Sequence, residues 1–157
     1  MTLYSINTLI EETRRLAAEF RRTTGTMLPV SGEIARYDVC HLLKLTPVEE
    51  RGKGYDAIGC GRWENQKIQI KSRIIGNTVK SGHRIGKLNL DADWDLIMLS
   101  LMDNNFAPLE IYELCRDTIE QTLSSDNKPT KRGTISVAKC KVIGQLVWAR
   151  SLGVCRV

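Results

Sequence analysis

The spacing of apolar residues divides the chain into helical segments near its two ends and strands in its middle. Apolar residues recur at helical intervals from about Ser5 to Arg22, which predicts a first helix. A second helix is predicted from Gly32 to Leu45, with Ser31 as its N-cap and Pro47 after its end. The residues expected on the buried face of the first helix are Ile6, Leu9, Ile10, Leu16, Ala17 and Phe20.

The middle of the chain has the patterns of β-strands. Lys67 to Lys71 alternates polar and apolar residues, which predicts a strand with one buried face. Glycines interrupt the segment before it, so this segment is predicted to be a bent strand that pairs with the next across a turn at residues 63–66. Trp94 to Met102 and Pro108 to Leu114 predict a second hairpin around the turn Asp103 to Asn105.

Helical patterns return in the last third of the chain. Asp117 and Glu120 have the spacing of a capping box and predict a short helix, and Ser136 is a candidate N-cap for a final helix to about Arg150. This order of elements predicts an α+β fold, with a central mixed sheet of two hairpins flanked by helices. One domain is expected over residues 1–157, with an N-terminal helix at about 5–22, a core at about 31–114 and C-terminal helices at about 117–150. The core contacts expected in the final helix are Val137, Cys140, Ile143, Val147 and Trp148.

The composition is that of a soluble globular protein. Of the 157 residues, 42% are hydrophobic and 26% are charged, which suffices for a buried core. No apolar run approaches the ~20 residues of a membrane span, and Met1 to Glu11 does not read as a secretory signal. Five widely spaced cysteines predict free thiols rather than disulfides or a zinc site. We therefore expect a cytoplasmic protein with no membrane partner.

Positive charge is concentrated in two segments of the chain. The net charge is +5, from 23 basic and 18 acidic residues, and both Lys67 to Lys87 and Lys128 to Lys141 contain no acidic residue. Such segments permit contacts with nucleic-acid phosphates, and the alternative for each is a solvated face. In the first segment, the residues expected to contact a nucleic-acid backbone are Arg73, Lys80, His83, Arg84 and Lys87.

The first hairpin carries residues suited to phosphodiester hydrolysis. Alternation along the strand places Gln69 and Lys71 on one face. Asp56 lies on the partner strand, and simple pairing places it beyond Lys71 unless the glycines bend the strand. The Asp56 carboxylate, the Gln69 amide oxygen and the carbonyl of Ile70 are oxygen ligands of the kind that Mg²⁺ accepts. Lys71 can orient the attacking water or stabilise negative charge.

With Glu33 on the preceding helix, these residues resemble the PD-(D/E)XK superfamily of nucleases. The resemblance rests on Glu33, on Asp56 in a strand, and on Gln69-Ile70-Lys71 in the next strand. It implies a restriction-endonuclease-like core that cleaves DNA with Mg²⁺ or Mn²⁺. It also implies that Asp56 is the chief metal ligand, Gln69 the second ligand, Lys71 the catalytic lysine, and Glu33 an accessory ligand or water-positioning group.

Gln69 stands where the superfamily usually has an acidic residue. Some branches, including restriction enzymes directed at modified DNA, are similar in having Gln-x-Lys. A neutral amide lowers the negative charge of the site and with it the expected affinity for Mg²⁺, which gives Glu33 more weight. Two alternatives stay open: a catalytically decayed nuclease fold that binds nucleic acid or a protein partner, and an α+β domain unrelated to nucleic acid. Cutting both strands of DNA would favour a homodimer.

Overall fold

The fold is α+β, as the sequence predicts. The computed structural model describes residues 4–76, 82–86, 88–125 and 133–155. The helices of these segments are α1 (Ile6–Thr24), α2 (Ser31–Leu43), α3 (Arg116–Ser125) and α4 (Val137–Ile143). The strands are β1 (Thr46–Pro47), β2 (Ala57–Ile58), β3 (Lys67–Ile74), β4 (Arg84–Ile85), β5 (Leu96–Met102), β6 (Pro108–Cys115), β7 (Ile135–Ser136), β8 (Gln145–Ala149) and β9 (Gly153–Val154).

Seven of the described strands form one mixed sheet in the order β1-β2-β3-β5-β6-β8-β9. Strands β3 and β5 are parallel, and the other neighbours are antiparallel. The sheet therefore consists of two antiparallel meanders joined at one parallel pair. Both predicted hairpins are present, as β2–β3 and β5–β6. Strands β4 and β7 form a separate two-stranded ribbon.

Different helices cover the two faces of this sheet. On one face, Leu96 and Met98 of β5 pack with Val39 and Leu43 of α2. On the other face, Ile97 and its alternate neighbours pack against α3, α4 and the β4–β7 ribbon. Because side chains alternate between the faces and both faces are covered, every residue of β5 is buried. Strand β5, which has the clearest apolar pattern in the sequence, thus lies at the centre of the core.

The first helix is where the sequence predicts it, but most of its predicted buried face is wrong. Within α1 the buried residues are Ala17 and Ala18. Arg14, on the same side, reaches the carboxylate of Asp38 in α2, so this ion pair fixes which face of α1 turns inward. Ala17 is buried as predicted, whereas four other residues predicted on this face are partly or largely exposed: Ile6 by 69%, Leu9 by 48%, Leu16 by 62% and Phe20 by 36%.

The predicted N-cap of the second helix is also wrong. Val30 holds that position, with φ −114° and ψ −2°, and Ser31 is the first helical residue. Because the backbone of Val30 is already close to helical, the helix begins before the serine can act as its cap. The helix ends at Leu43, two residues before the predicted end, and Pro47 lies in β1 rather than only closing the helix.

The predicted final helix is half helix and half strand. Ser136 is its N-cap, since the Ser136 hydroxyl accepts a hydrogen bond from the Lys139 amide at 3.1 Å. The helix stops at Ile143, because Gly144 is extended and packs closely against β6. A Cβ at Gly144 would lie 2.7 Å from Leu114 Cδ2. The chain then forms β8, so Val147 is buried as expected, but from a strand that pairs with β6.

Across the segments that the structure describes, no helix has the length and apolar character needed to cross a membrane.

Candidate active site

A 3₁₀ turn between β2 and β3 brings Asp56 beside the middle of β3. The turn, Gly61–Trp63, takes up part of the connection, so that Ala57 pairs with Ile68. The amide of Asp56 donates to the carbonyl of Ile68 at 2.8 Å. The simple pairing that put Asp56 beyond Lys71 was therefore wrong, because a regular hairpin has no such turn.

The carboxylate of Asp56 binds the edge of β3. The amide of Ile70 donates to Asp56 Oδ2 at 2.8 Å, which fixes the orientation of the half-buried carboxylate. The carbonyl of Ile68 points toward β2, and residues two apart in a strand direct their backbone groups the same way. The carbonyl of Ile70 therefore points to the same edge as its amide. A carboxylate and a backbone carbonyl meet at this edge.

Gln69 presents a buried amide oxygen next to this edge. Its Nε2 donates to the carbonyl of Gly54 at 3.2 Å, which determines how the amide is turned. Its Oε1 is buried and accepts no hydrogen bond from the described residues. Leaving a buried acceptor unsatisfied costs about 1–3 kcal/mol, so a donor or a cation at this oxygen would be stabilised. The amide is thus held by its nitrogen, and its oxygen is left without a partner among the described residues.

Lys71 shares a face of β3 with Gln69, as the alternation predicts. In the parallel register, Gln69 pairs with Ile97 and Lys71 pairs with Leu99. Paired residues point to the same face of a sheet, so both polar side chains lie on the face covered by α3 and α4. Lys71 is half-buried. The structure therefore brings Asp56, Gln69, Ile70 and Lys71 to one region of β3.

Glu33 is held in another arrangement. Both of its carboxylate oxygens accept hydrogen bonds from Arg51, at 2.7 and 2.8 Å, and this pairing lowers the pKa of Glu33. Glu33 belongs to α2, which covers the face of the sheet opposite Gln69 and Lys71. The pKa of Arg51 is raised, chiefly by its hydrogen bond to Glu33 and also by the charge of Asp56. Arg51, which the sequence pattern did not single out, is therefore the residue that holds the Glu33 carboxylate.

Two of the predicted phosphate-binding residues connect β3 to the β4–β7 ribbon. Arg73 Nε donates to the carbonyl of Arg84 at 2.5 Å, and burial lowers the pKa of Arg73. Arg84 in turn donates to the hydroxyl and the carbonyl of Thr134, both at 3.1 Å. The Arg73 guanidinium group therefore helps to hold the β4–β7 ribbon against β3, and that of Arg84 helps to hold the ribbon together, although Arg84 remains exposed.

The other three residues of that set lie in or near the same segment. His83 is half-buried, and its carbonyl accepts a hydrogen bond from the amide of Val137 at 2.8 Å. Lys80 and Lys87 lie outside the described residues.

The oxygen donors at the edge of β3 are a restricted set. In residues 4–76, 82–86, 88–125 and 133–155, no group of three or more His, Cys, Asp or Glu side chains could hold a metal ion. The donors near Asp56 are one carboxylate, one amide oxygen and one backbone carbonyl. Mg²⁺ is usually bound by one or two carboxylates together with waters and substrate phosphates. This set has one carboxylate, the lower of the numbers that Mg²⁺ sites use, so it carries little negative charge.

The cysteines should differ in reactivity according to their burial. Cys40 and Cys140 are buried, and burial raises the pKa of each thiol to about 11. Cys60 is exposed. Because the thiolate is the reactive form, we expect iodoacetamide at neutral pH to modify Cys60 on the order of a hundredfold faster than either buried thiol. Peptide mass spectrometry over time measures this, and equal rates in the native protein would contradict it.

Comparison of the chain with protein-family models and with curated proteins finds no match. The site is therefore interpreted from its own geometry.

Proposed function

We propose that this protein is a metal-dependent nuclease that hydrolyses DNA phosphodiester bonds, with a PD-(D/E)XK core in its Gln-x-Lys form. The observation that carries the proposal is the edge of β3, where the Asp56 carboxylate, the Ile70 backbone and the buried Gln69 Oε1 atom gather near Lys71. The order of elements supports it, with α2 followed by Asp56 immediately before β2 and by Gln69 in β3. The proposal includes one restriction-endonuclease-like domain, a cytoplasmic location and a homodimer for cutting duplex DNA.

The ligands assigned to Mg²⁺ or Mn²⁺ are Asp56, the carbonyl of Ile70 and Gln69 Oε1. Asp56 Oδ2 is engaged by the Ile70 amide, so Oδ1 is the oxygen assigned to the metal. When bound, the ion would activate water and neutralise charge on the phosphate. A cation at Gln69 Oε1 also gives this buried oxygen the partner that it lacks among the described residues. Direct ligation by Glu33 requires that it leave Arg51.

Each side chain of the site has a separate task in this proposal. The hydrogen bond from Gln69 Nε2 to Gly54 keeps the amide oxygen turned toward the ligand. The ammonium group of Lys71 orients the attacking water or stabilises the negative charge that develops on the phosphate. The basic residues Arg73, His83 and Arg84, with Lys80 and Lys87, are assigned to the DNA backbone.

A second function is favoured by the low negative charge of the site. Glu33 is paired with Arg51, so Asp56 is the one carboxylate of the proposed ligand set that contacts the backbone of β3. A site that binds metal weakly could belong to a nuclease fold that has lost catalysis and binds nucleic acid or a protein partner. This candidate predicts salt-sensitive DNA binding without cleavage.

Cleavage of plasmid and single-stranded DNA with Mg²⁺ or Mn²⁺ tests the proposal. We expect Asp56→Asn and Lys71→Met to lower the cleavage rate at least about a hundredfold, since each removes a charge that acts in the transition state. Asp91→Asn and Arg22→Met remove charges of the same signs at exposed positions that the proposal does not use, and both variants should cleave like the native protein. Gln69→Glu should lower the Mg²⁺ concentration needed, because it restores a negative ligand.

The outcomes separate the two candidates. DNA binding without cleavage by the native protein would favour the decayed fold. Cleavage that persists in folded Asp56→Asn and Lys71→Met would place the activity elsewhere or in a contaminant, and the proposed site would be rejected.

A further inference from the structure

A groove of about 570 Å³ lies where the start of α1, helix α2 and strand β1 meet. Its size is within the range of small-ligand sites. Its apolar walls come from Ile6 and Ile10 of α1 and from Leu45 and Pro47 near β1. Ile6 is 69% exposed at this groove. This exposure is high for an isoleucine, which is usually buried. The groove is outside the set of residues assigned above to DNA binding.

One wall of the groove carries two stacked rings. Tyr37 and His41 lie one helical turn apart on α2, with ring centroids 5.8 Å apart and ring planes 8° from parallel. The Tyr37 hydroxyl donates to Asn7 Oδ1 at 3.0 Å, which fixes the phenol ring against α1. Aromatic side chains held in this way offer a surface on which an unpaired base can stack.

The charges of the groove complement a phosphate. Arg36 and Lys44 line it, while the carboxylate of Glu33 is neutralised by Arg51. Arg36 donates one terminal nitrogen to the carbonyl of Val48, and its buried Nε has no acceptor among the described residues. The groove thus combines an excess of positive charge with an aromatic wall and an unused donor.

The groove is next to the candidate active site. Arg36, which lines the groove, donates to the carbonyl of Val48, and the amide of Val48 donates to the carbonyl of Asp56 at 2.9 Å. Pro47, which also lines the groove, pairs with Ala57, the residue that follows Asp56. A strand that passes Asp56 at the sheet edge can therefore reach the groove.

We propose that this groove binds an unpaired nucleotide of the substrate, with the base against Tyr37 and His41 and the phosphate near Arg36 and Lys44. The choice of nucleic acid as the ligand rests on the proposed nuclease function. The inference deepens that function by naming its substrate class, which is DNA with a single-stranded region beside the bond that is cut.

Fluorescence anisotropy with a labelled oligothymidylate, in EDTA so that no cleavage occurs, measures this binding. We expect His41→Ala and Tyr37→Ala each to weaken binding about tenfold, in the range found for loss of one base-stacking ring. Tyr37→Phe keeps the ring and should bind within about twofold of the native protein. Lys44→Gln should lower the slope of log affinity against log salt by about 0.7, whereas Arg22→Gln, at the exposed far end of α1, should not change it.

The outcomes distinguish this inference from the nuclease proposal. If binding depends on His41 and Tyr37 but the protein cuts no DNA, the nucleotide-binding groove is supported and the nuclease proposal is rejected. If the protein cleaves DNA but folded His41→Ala and Tyr37→Ala bind oligothymidylate as the native protein does, the nuclease proposal is supported and the groove inference is overturned. Sedimentation equilibrium supplies a further test, since a dimer that these two variants dissociate would assign the groove to a second copy of the chain and overturn the inference.

Discussion

Replacing Asp38 by alanine is expected to lower the free energy of unfolding by about 3 kcal/mol, because it removes the buried partner of Arg14 and leaves only the exposed carboxylate of Glu11 paired with it. The two side chains are only 12% and 8% exposed. Arg14 donates from both terminal nitrogens to the Asp38 carboxylate, at 2.8 and 2.7 Å, and also to the carbonyl of Phe106 at 2.5 Å. One side chain of α1 therefore connects α2 with the turn between β5 and β6.

Urea unfolding followed by circular dichroism measures this loss. The matched control is Glu12→Ala, which breaks an exposed pair with Arg15 and should cost no more than about 0.5 kcal/mol. The double variant Arg14→Met with Asp38→Leu should recover most of the stability, since apolar side chains can replace a buried ion pair. A loss below about 1 kcal/mol for Asp38→Ala would contradict the burial of this pair.

Gly59→Ala should destabilise the protein by about 3 kcal/mol and remove the proposed activity, since the added methyl group has no room. A Cβ at Gly59 would lie 2.1 Å from the Trp63 carbonyl oxygen and 2.6 Å from Trp63 Cβ. Trp63 cannot yield easily, because it is buried and its indole nitrogen donates to Glu113 at 2.9 Å. The 3₁₀ turn would have to move, and the pairing that aligns Asp56 with β3 depends on that turn.

The measurements for Gly59→Ala are the free energy of unfolding and the DNA cleavage rate. Gly32→Ala is the control, because the space around Gly32 is open and alanine is favoured over glycine in a helix by roughly 0.5–1 kcal/mol. A Gly59→Ala protein with native stability and activity would mean that the turn can shift without disturbing Asp56.

The hydrophobic pattern predicted the elements whose environment is uniform along their length. Strand β5 is an example, because it is covered on both faces and its apolar run needs no knowledge of its neighbours. The prediction of the final helix failed at Gly144, because close packing against β6 decides the conformation there. The local sequence pattern carries no information about that contact. The prediction of the buried face of α1 failed for a related reason. The buried ion pair between Arg14 and Asp38 outweighs the pattern of apolar residues along the helix.

The candidate site was predictable in composition and not in geometry. Alternation alone placed Gln69 and Lys71 on a common face of β3. The position of Asp56 depends on a turn of three residues, Gly61–Trp63, which shifts the pairing and has no strong sequence signal. The pairing of Glu33 with Arg51 joins residues 18 apart, and spacing does not favour this partner over any other nearby arginine.

The two outer strands of the main sheet bear on how the protein behaves at high concentration. Strands β1 and β9 contain two residues each, and Pro47 in β1 has no amide hydrogen to donate. An exposed strand edge is a template on which another chain can add, and short or proline-containing edges weaken that template. These edges therefore oppose fibrillar self-association through this sheet, even though its central strand is among the most apolar segments of the chain.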